Sequence, residues 1–369
     1  MLEALHLFFY GVSNFLLLFS LGIAGWALFA FIRSPVPALL GTLTVVGTLR
    51  AIGAPIPMAP EYVSPIVQVM LGIYIGTIVT RDTVRQLKSL VLPALLVSLW
   101  ALALVFAFGR LLSRLTWLDT YTAVLSSSVG GLPEMMVLSI ATGADVAVVI
   151  VMQAFRLLAT VALFPLLFQR MFGLPTAGAI GFGARTARVN GFFDAARDVI
   201  GYFSDRPHRL LFSLVLAAAG GWVFTALGVP AGIMVGAMFA CAGASIAGLP
   251  VRPFHPRLFN LLMIAVGIMV TDHFGPRTAE TVMSGDLLWP LLLSTCVIFF
   301  SSLGVAGIIH RLCGWDLPTS FLAAAPGGFT VMTMLAIQYG RDPFRVSMVH
   351  LARLLAIKAV VPFVFMLLV

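Results

Sequence analysis

Two kinds of residue in this chain have the types and spacing to hold something polar. The first is a pair of diglycines. Gly130-Gly131 follows Ser126-Ser127-Ser128 and precedes Leu132-Pro133-Glu134, while Gly327-Gly328 follows Ala325-Pro326 and precedes Phe329-Thr330. Each interrupts an apolar stretch of helical length. A helix broken inside hydrocarbon leaves carbonyls and amides unpaired, so the break is tolerated only where the backbone lines a cavity or a binding site. The amides that open the second arm favour an anion, and the carbonyls that close the first favour a cation. Pro133 suits the first turn of that second arm.

The second kind is a buried cation with a polar companion. Gln153 and Arg156, and again His350 and Arg353, stand three residues apart and share a helical face. Each arginine lies about 15 Å into an apolar segment. A charge there costs at least about 2.5–3.5 kcal/mol on insertion scales. Lys358 reads as a third buried cation, Glu134 as the chief intramembrane anion, and Asp145 and Asp342 as helix caps. Positive charge in excess points to an anionic solute such as a carboxylate. The candidate solute-binding residues are Ser127, Ser128, Gly130, Gly131, Glu134, Gln153, Arg156, Gly327, Gly328, Thr330, His350 and Arg353. A plainer reading stands beside this one: the glycines only let helices pack, and the arginines only tie down broken-helix carbonyls.

Other chemistries find no residues. The six histidines form no ligand-spaced cluster with cysteine or carboxylate, and no phosphate-binding G-x-x-x-x-G-K-[ST] occurs. No cofactor, metal or enzymatic activity is expected, and Na+ and H+ both stay open as coupling ions. Three cysteines give no disulfide framework.

The elements that must position these residues are membrane helices. The chain has 369 residues, 60% hydrophobic and 10% charged, with a mean hydropathy of +1.07. A soluble domain carries roughly 25% charged residues. Apolar runs of about 20 residues recur throughout, the length that crosses a roughly 30 Å hydrocarbon core. A β-barrel would need alternation of period two, which the run from Phe15 to Phe31 lacks. Breakers and charges divide the chain into 12–32, 36–54, 62–80, 90–113, 120–142 and 146–169, then 210–227, 230–248, 258–272, 287–309, 317–339 and 343–368. Between these halves, 170–209 is polar and holds six arginines, with Phe192, Ala196, Val199 and Phe203 at helical spacing. It reads as a cytoplasmic linker, either a plain loop or an amphipathic helix on the membrane surface. The net charge of +8 is spread over loops and orients helices, so no nucleic-acid partner is expected. Gly72-x-x-x-Gly76 and Gly232-x-x-x-Gly236 permit close helix packing.

The halves, 1–169 and 210–369, are copies. At an offset of 197, Asp119 falls on Asp316, Gly130-Gly131 on Gly327-Gly328, Gly143 on Gly340 and Asp145 on Asp342. Arg156-Leu157-Leu158 falls on Arg353-Leu354-Leu355, and Pro165 on Pro362. If both diglycine segments dip in and return, the lysines and arginines outside the spans divide 15 inside to 4 outside. If every segment crosses, they divide 12 to 7. The positive-inside rule therefore favours two inverted repeats, each with about five spans plus one re-entrant or broken helix, and both termini outside.

The segment Ser128-Val129-Gly130-Gly131-Leu132-Pro133-Glu134-Met135, with Gly143-Ala144-Asp145 and Gln153 to Leu158, resembles the AbrB-duplication membrane family of bacteria. Ala325-Pro326-Gly327-Gly328 carries the same motif, and the resemblance covers nearly the whole chain. The first copy has Val129 where the family has proline, and the second has Val331 where the first has Glu134. Family members have been labelled regulators of gene expression and, in some cases, ammonia monooxygenases. More distantly, the paired glycine-tipped repeats look like bile-acid-type and 2-hydroxycarboxylate-type elevator carriers. The resemblance implies a multi-pass protein of the bacterial inner membrane. The breaks and buried arginines, with the likeness to elevator carriers, point to a secondary, elevator-like transporter of a small anionic organic solute, and the regulator label gives the alternative, a solute-binding sensor that regulates gene expression without transport. A homodimer is compatible with either.

Overall fold

The computed structural model describes residues 2–32, 34, 36–80, 86–172, 202, 205–229, 231–255, 258–272 and 285–368. The described residues are helical, with no strand among them. In the first half the helices are α1 (Leu2–Phe31), α2 (Pro37–Ala51), α3 (Val63–Ile78), α4 (Val91–Ala103), α5 (Gly109–Leu115), α6 (Thr120–Ser127), α7 (Leu132–Thr142) and α8 (Val146–Phe172). A π-helical turn, Leu104–Phe108, joins α4 to α5. In the second half they are α9 (Pro207–Ala226), α10 (Gly232–Ile246), α11 (Phe259–Thr271), α12 (Leu288–Cys313), α13 (Leu317–Ala324), α14 (Phe329–Gln338) and α15 (Pro343–Leu368). Among the described residues, six stretches are long and apolar enough to cross a membrane: Ser13–Phe31, Lys88–Leu115, Val146–Phe164, Pro207–Ala226, Leu288–Cys313 and Pro343–Val364. The protein is an all-α, multi-pass membrane protein. The amphipathic stretch expected around Phe192 to Phe203 lies outside the described residues.

Both diglycine stretches interrupt a helix. α6 stops at Ser127 and α7 starts at Leu132, while α13 stops at Ala324 and α14 starts at Phe329. Local signals repeat between the copies. Asp119 caps α6 by accepting from the Thr122 amide at 3.0 Å, and Asp316 caps α13 by accepting from the Thr319 amide at 3.1 Å. Gly143 and Gly340 close the second arms in the left-handed region, with φ of 71° and 61°. The glycines in the breaks play another role, since Gly131 and Gly328 have φ of −74° and −66°. What Gly130 and Gly327 lack is bulk. A Cβ at Gly327 would stand 2.2 Å from Met332 Cε, and one at Gly130 would stand 3.2 Å from Ile357 Cγ2.

The chain folds into two compact units that cut across the sequence repeats. One comprises 1–84 and 168–275, the other 85–167 and 276–369. The first unit takes α1–α3 from one repeat and α9–α11 from the other, and the second takes α4–α8 and α12–α15. In the first, α1 crosses α2 and its copy α9 crosses α10 through facing glycines. A Cβ at Gly41 would meet the Gly25 carbonyl at 2.1 Å, and one at Gly236 would meet the Gly220 carbonyl at 2.0 Å. Gly72 and Gly76 also sit close against α10, where an added Cβ would stand 2.5 Å from Ala237 Cβ and from the Met238 carbonyl, respectively. Arg50, in the last turn of α2, is buried and paired with Asp272, and it donates to the Pro57 carbonyl at 2.7 Å.

Candidate functional site

The second unit holds both breaks, and its chemistry starts from how they are satisfied. A helix ends with four carbonyls that lack an intrahelical donor. In hydrocarbon, water cannot supply one. Here the last helix of the same repeat supplies it. Gln153 Nε2 on α8 donates to the Leu125 carbonyl at 3.0 Å, and Arg156 donates to the carbonyls of Ser126 (3.3 Å) and Ser128 (2.8 Å). In the second repeat His350 Nε2 lies 2.9 Å from the Leu322 carbonyl, and Arg353 donates to Ala325 (2.9 Å) and Gly327 (3.2 Å). Leu125 with Leu322 and Ser128 with Ala325 are equivalent at the offset of 197, so the two anchors are copies of one device. Hydrogen bonds from a charged donor are worth about 1.5–3 kcal/mol. That helps offset the burial of guanidinium groups whose residues are only 4% and 1% exposed.

The breaks also interlock across the repeats. Ile357, from α15, abuts Gly130, and Leu157, from α8, is the nearest side chain of another element to Gly328. The rings of Phe164 and Phe321 lie tilted against each other at 32°, with centroids 4.2 Å apart. Arg156 and Arg353 are near enough to act on one another electrostatically. Among the described residues neither pairs with a carboxylate. Their Nε atoms are buried without a hydrogen-bond partner, as are Ser126 Oγ and Gln153 Oε1.

The predicted site residues thus separate into two sets. Gln153, Arg156, His350 and Arg353 are buried and turned to backbone. Ser127 donates to the Ala123 carbonyl at 2.8 Å, and Ser128 Oγ accepts from the Gly130 amide at 3.2 Å, so both hydroxyls serve the break itself. Gly327 is buried beside Met332. Gly130, Gly131, Gly328 and Thr330 are the partly exposed members, and a visiting solute would meet these. The side chain of Glu134, on α7, lies outside the described residues. Lys358, expected to be buried, is exposed. Asp145 and Asp342 are caps as read, accepting from the amides of Val148 (3.1 Å) and of Phe344 and Arg345 (3.0 and 3.1 Å). Sequence reasoning missed the Ser126 main chain as an anchor point. Its position one turn before the break, with Arg156 on the facing helix of the repeat, was the available signal.

This duplicated architecture has relatives. The family model described as "Transition state regulatory protein AbrB" matches residues 2–172 and again 66–369. The chain belongs to the AbrB family. This AbrB-family chain is 25% identical over 334 residues to "Putative regulator AbrB" of Escherichia coli (strain K12), covering 89% of each chain. It is 29% identical over 165 residues to "Uncharacterized protein YhjN" of Bacillus subtilis (strain 168), covering 42% of each. No solved structure matches it. The twofold match of the family model accords with the repeat read at the offset of 197.

Proposed function

We propose that this AbrB-family protein is a secondary transporter of a small anionic organic solute in the bacterial inner membrane. The observation that carries the reading is the pair of symmetric backbone breaks in one compact unit, each anchored by a buried arginine. A protein that needed only a stable bundle would leave these helices whole, since every broken turn must be satisfied from elsewhere. Two further features favour an anion. The second arms begin at Gly131 and Gly328, which are partly exposed and provide no side-chain cap, and a helix start of this kind favours an anion. Two guanidinium charges without a carboxylate partner among the described residues make the region electropositive. Paired breaks carried on one unit also suit a carrier that moves its whole site as a body, the elevator-like mode.

Gly328→Val tests this. The nearest atoms to a Cβ there lie 3.7 and 3.8 Å away, ordinary contact, so the fold has room for the first added carbon. Uptake of organic acids into proteoliposomes should fall at least about tenfold, which is only about 1.4 kcal/mol of lost complementarity at the site, while the melting temperature stays near wild type. Flux unchanged by this substitution, or absent from wild type across a panel of organic anions, would sink the carrier reading. The regulatory name of the Escherichia coli relative favours a second reading, a solute-binding sensor. It would bind the anion, shift in melting temperature, and give no turnover.

A further inference from the structure

We infer that the coupling ion of this carrier is a proton, taken up at Nδ1 of His350, and that it acts by releasing Arg353 from the second break. This rests on the transport reading above, though the protonation site can be tested without it. The geometry fixes the tautomer. A carbonyl only accepts, so His350 Nε2, 2.9 Å from the Leu322 oxygen, carries the hydrogen. Arg353 only donates, so His350 Nδ1, 2.9 Å from Arg353 Nη2, offers its lone pair to the guanidinium. The imidazole is therefore neutral while Arg353 is docked. A proton on Nδ1 occupies that lone pair, breaks the bond from Arg353, and sets two cations side by side. Arg353 then leaves, and with it one donor to the Ala325 and Gly327 carbonyls. The Nε2–H bond to Leu322 is untouched.

The first repeat supplies the internal comparison. At the equivalent position Gln153 makes the same bond to the Leu125 carbonyl, and glutamine does not titrate in the physiological range. Among the described residues, only the second break has a proton-responsive anchor. Other charged groups around His350 are few. The helices α4, α13 and α14, packed on α15, carry no titratable side chain. The α7 helix carries Glu134, with its side chain outside the described residues, and the 3-10 turn Gln86–Leu90 carries Lys88. On α15 itself are Arg345, Arg353 and Lys358. Arg156 acts on Arg353 from α8.

The size of the effect follows from linkage. If the docked state binds no proton at Nδ1 and the released state titrates near the ordinary histidine value of about 6.5, lowering the pH from 7.5 to 5.5 raises the released fraction about tenfold. Hydrogen exchange of peptides spanning residues 317–338, in nanodiscs and corrected for the intrinsic pH dependence, reads this directly. Wild type should exchange about tenfold faster at pH 5.5. His350→Gln, which installs the first repeat's solution, should show no such acceleration, and Glu134→Gln should behave as wild type. An acid response that survives in His350→Gln, or that disappears in Glu134→Gln, or that is absent from wild type, overturns the proton site. In proteoliposomes an imposed proton gradient should drive wild-type flux and leave His350→Gln with gradient-independent flux. A hairpin response that follows His350 in a protein that moves no solute would reject the carrier and keep the proton site. Gradient-driven flux that persists in His350→Gln would reject the proton site and keep the carrier.

Discussion

Arg156 and Arg353 define the chemistry at the residue scale. Each guanidinium spans two carbonyls of a broken turn, a task for a planar fork with several fixed donors. Lysine has a single point charge and reaches one carbonyl at a time. Arg156→Lys should therefore leave a buried carbonyl unpaired and cost about 1–3 kcal/mol, read as a lower unfolding midpoint in detergent. Arg353→Lys should cost more, because His350 Nδ1 loses its donor as well. If both substitutions leave stability unchanged, the guanidiniums do not hold the breaks and a direct role on the solute gains weight. Part of this was legible in the sequence. The spacing of Gln153 to Arg156, repeated in His350 to Arg353, put both anchors on one face, and the diglycines marked where backbone needed them. Lys358 was misread because apolar neighbours in sequence say nothing about which side of a helix faces the protein. The pairing of Arg50 was not legible, because its partner, Asp272, is 222 residues away.

At the scale of elements, the glycines divide by what stands opposite them. Gly25 with Gly41 and Gly220 with Gly236 let two helix pairs touch backbone to backbone, at positions where any side chain collides with a carbonyl. Gly41→Ala and Gly236→Ala should each destabilise by about 1–3 kcal/mol or prevent folding, as overpacking does. Gly304→Ala on α12 meets nothing within 4 Å. It should be neutral or stabilising by up to about 1 kcal/mol, since alanine is the better helix former. Thermal denaturation of the three proteins in one detergent decides it, and equal losses in all three would mean that glycine serves helix flexibility here instead of contact. Composition alone could not sort these positions. Glycine in an apolar run looks the same whether it faces lipid, a neighbouring backbone or a break, and Gly25 with Gly220 and Gly41 with Gly236 correspond at an offset of 195, outside the register of 197.

At the scale of the whole molecule, the repeat and the folding unit are different objects. The duplication was visible as an offset of 197, and segment boundaries from hydropathy fell within a few residues of most observed helix ends. The exchange of helices between repeats was not visible, because it depends on contacts far apart in sequence. The α2 helix packs on α11 and α3 on α10 in one unit, and α4 packs on α15 in the other. A single repeat therefore owns half of two cores and the whole of neither. Residues 1–169 expressed alone should leave the faces of α2, α3 and α4 uncovered and be degraded or aggregate. Residues 210–369 should behave likewise, because Phe321 loses Phe164 and Met234, Ala237 and Met238 lose the close approach of Gly72. Co-expressed as separate chains, the halves should assemble, so that a tag on one recovers the other in an equal amount and in a protease-resistant form. A stable, monodisperse 1–169 fragment would mean that each repeat folds as a body of its own, and the exchange of helices would then be a late docking step with little of the stability resting on it.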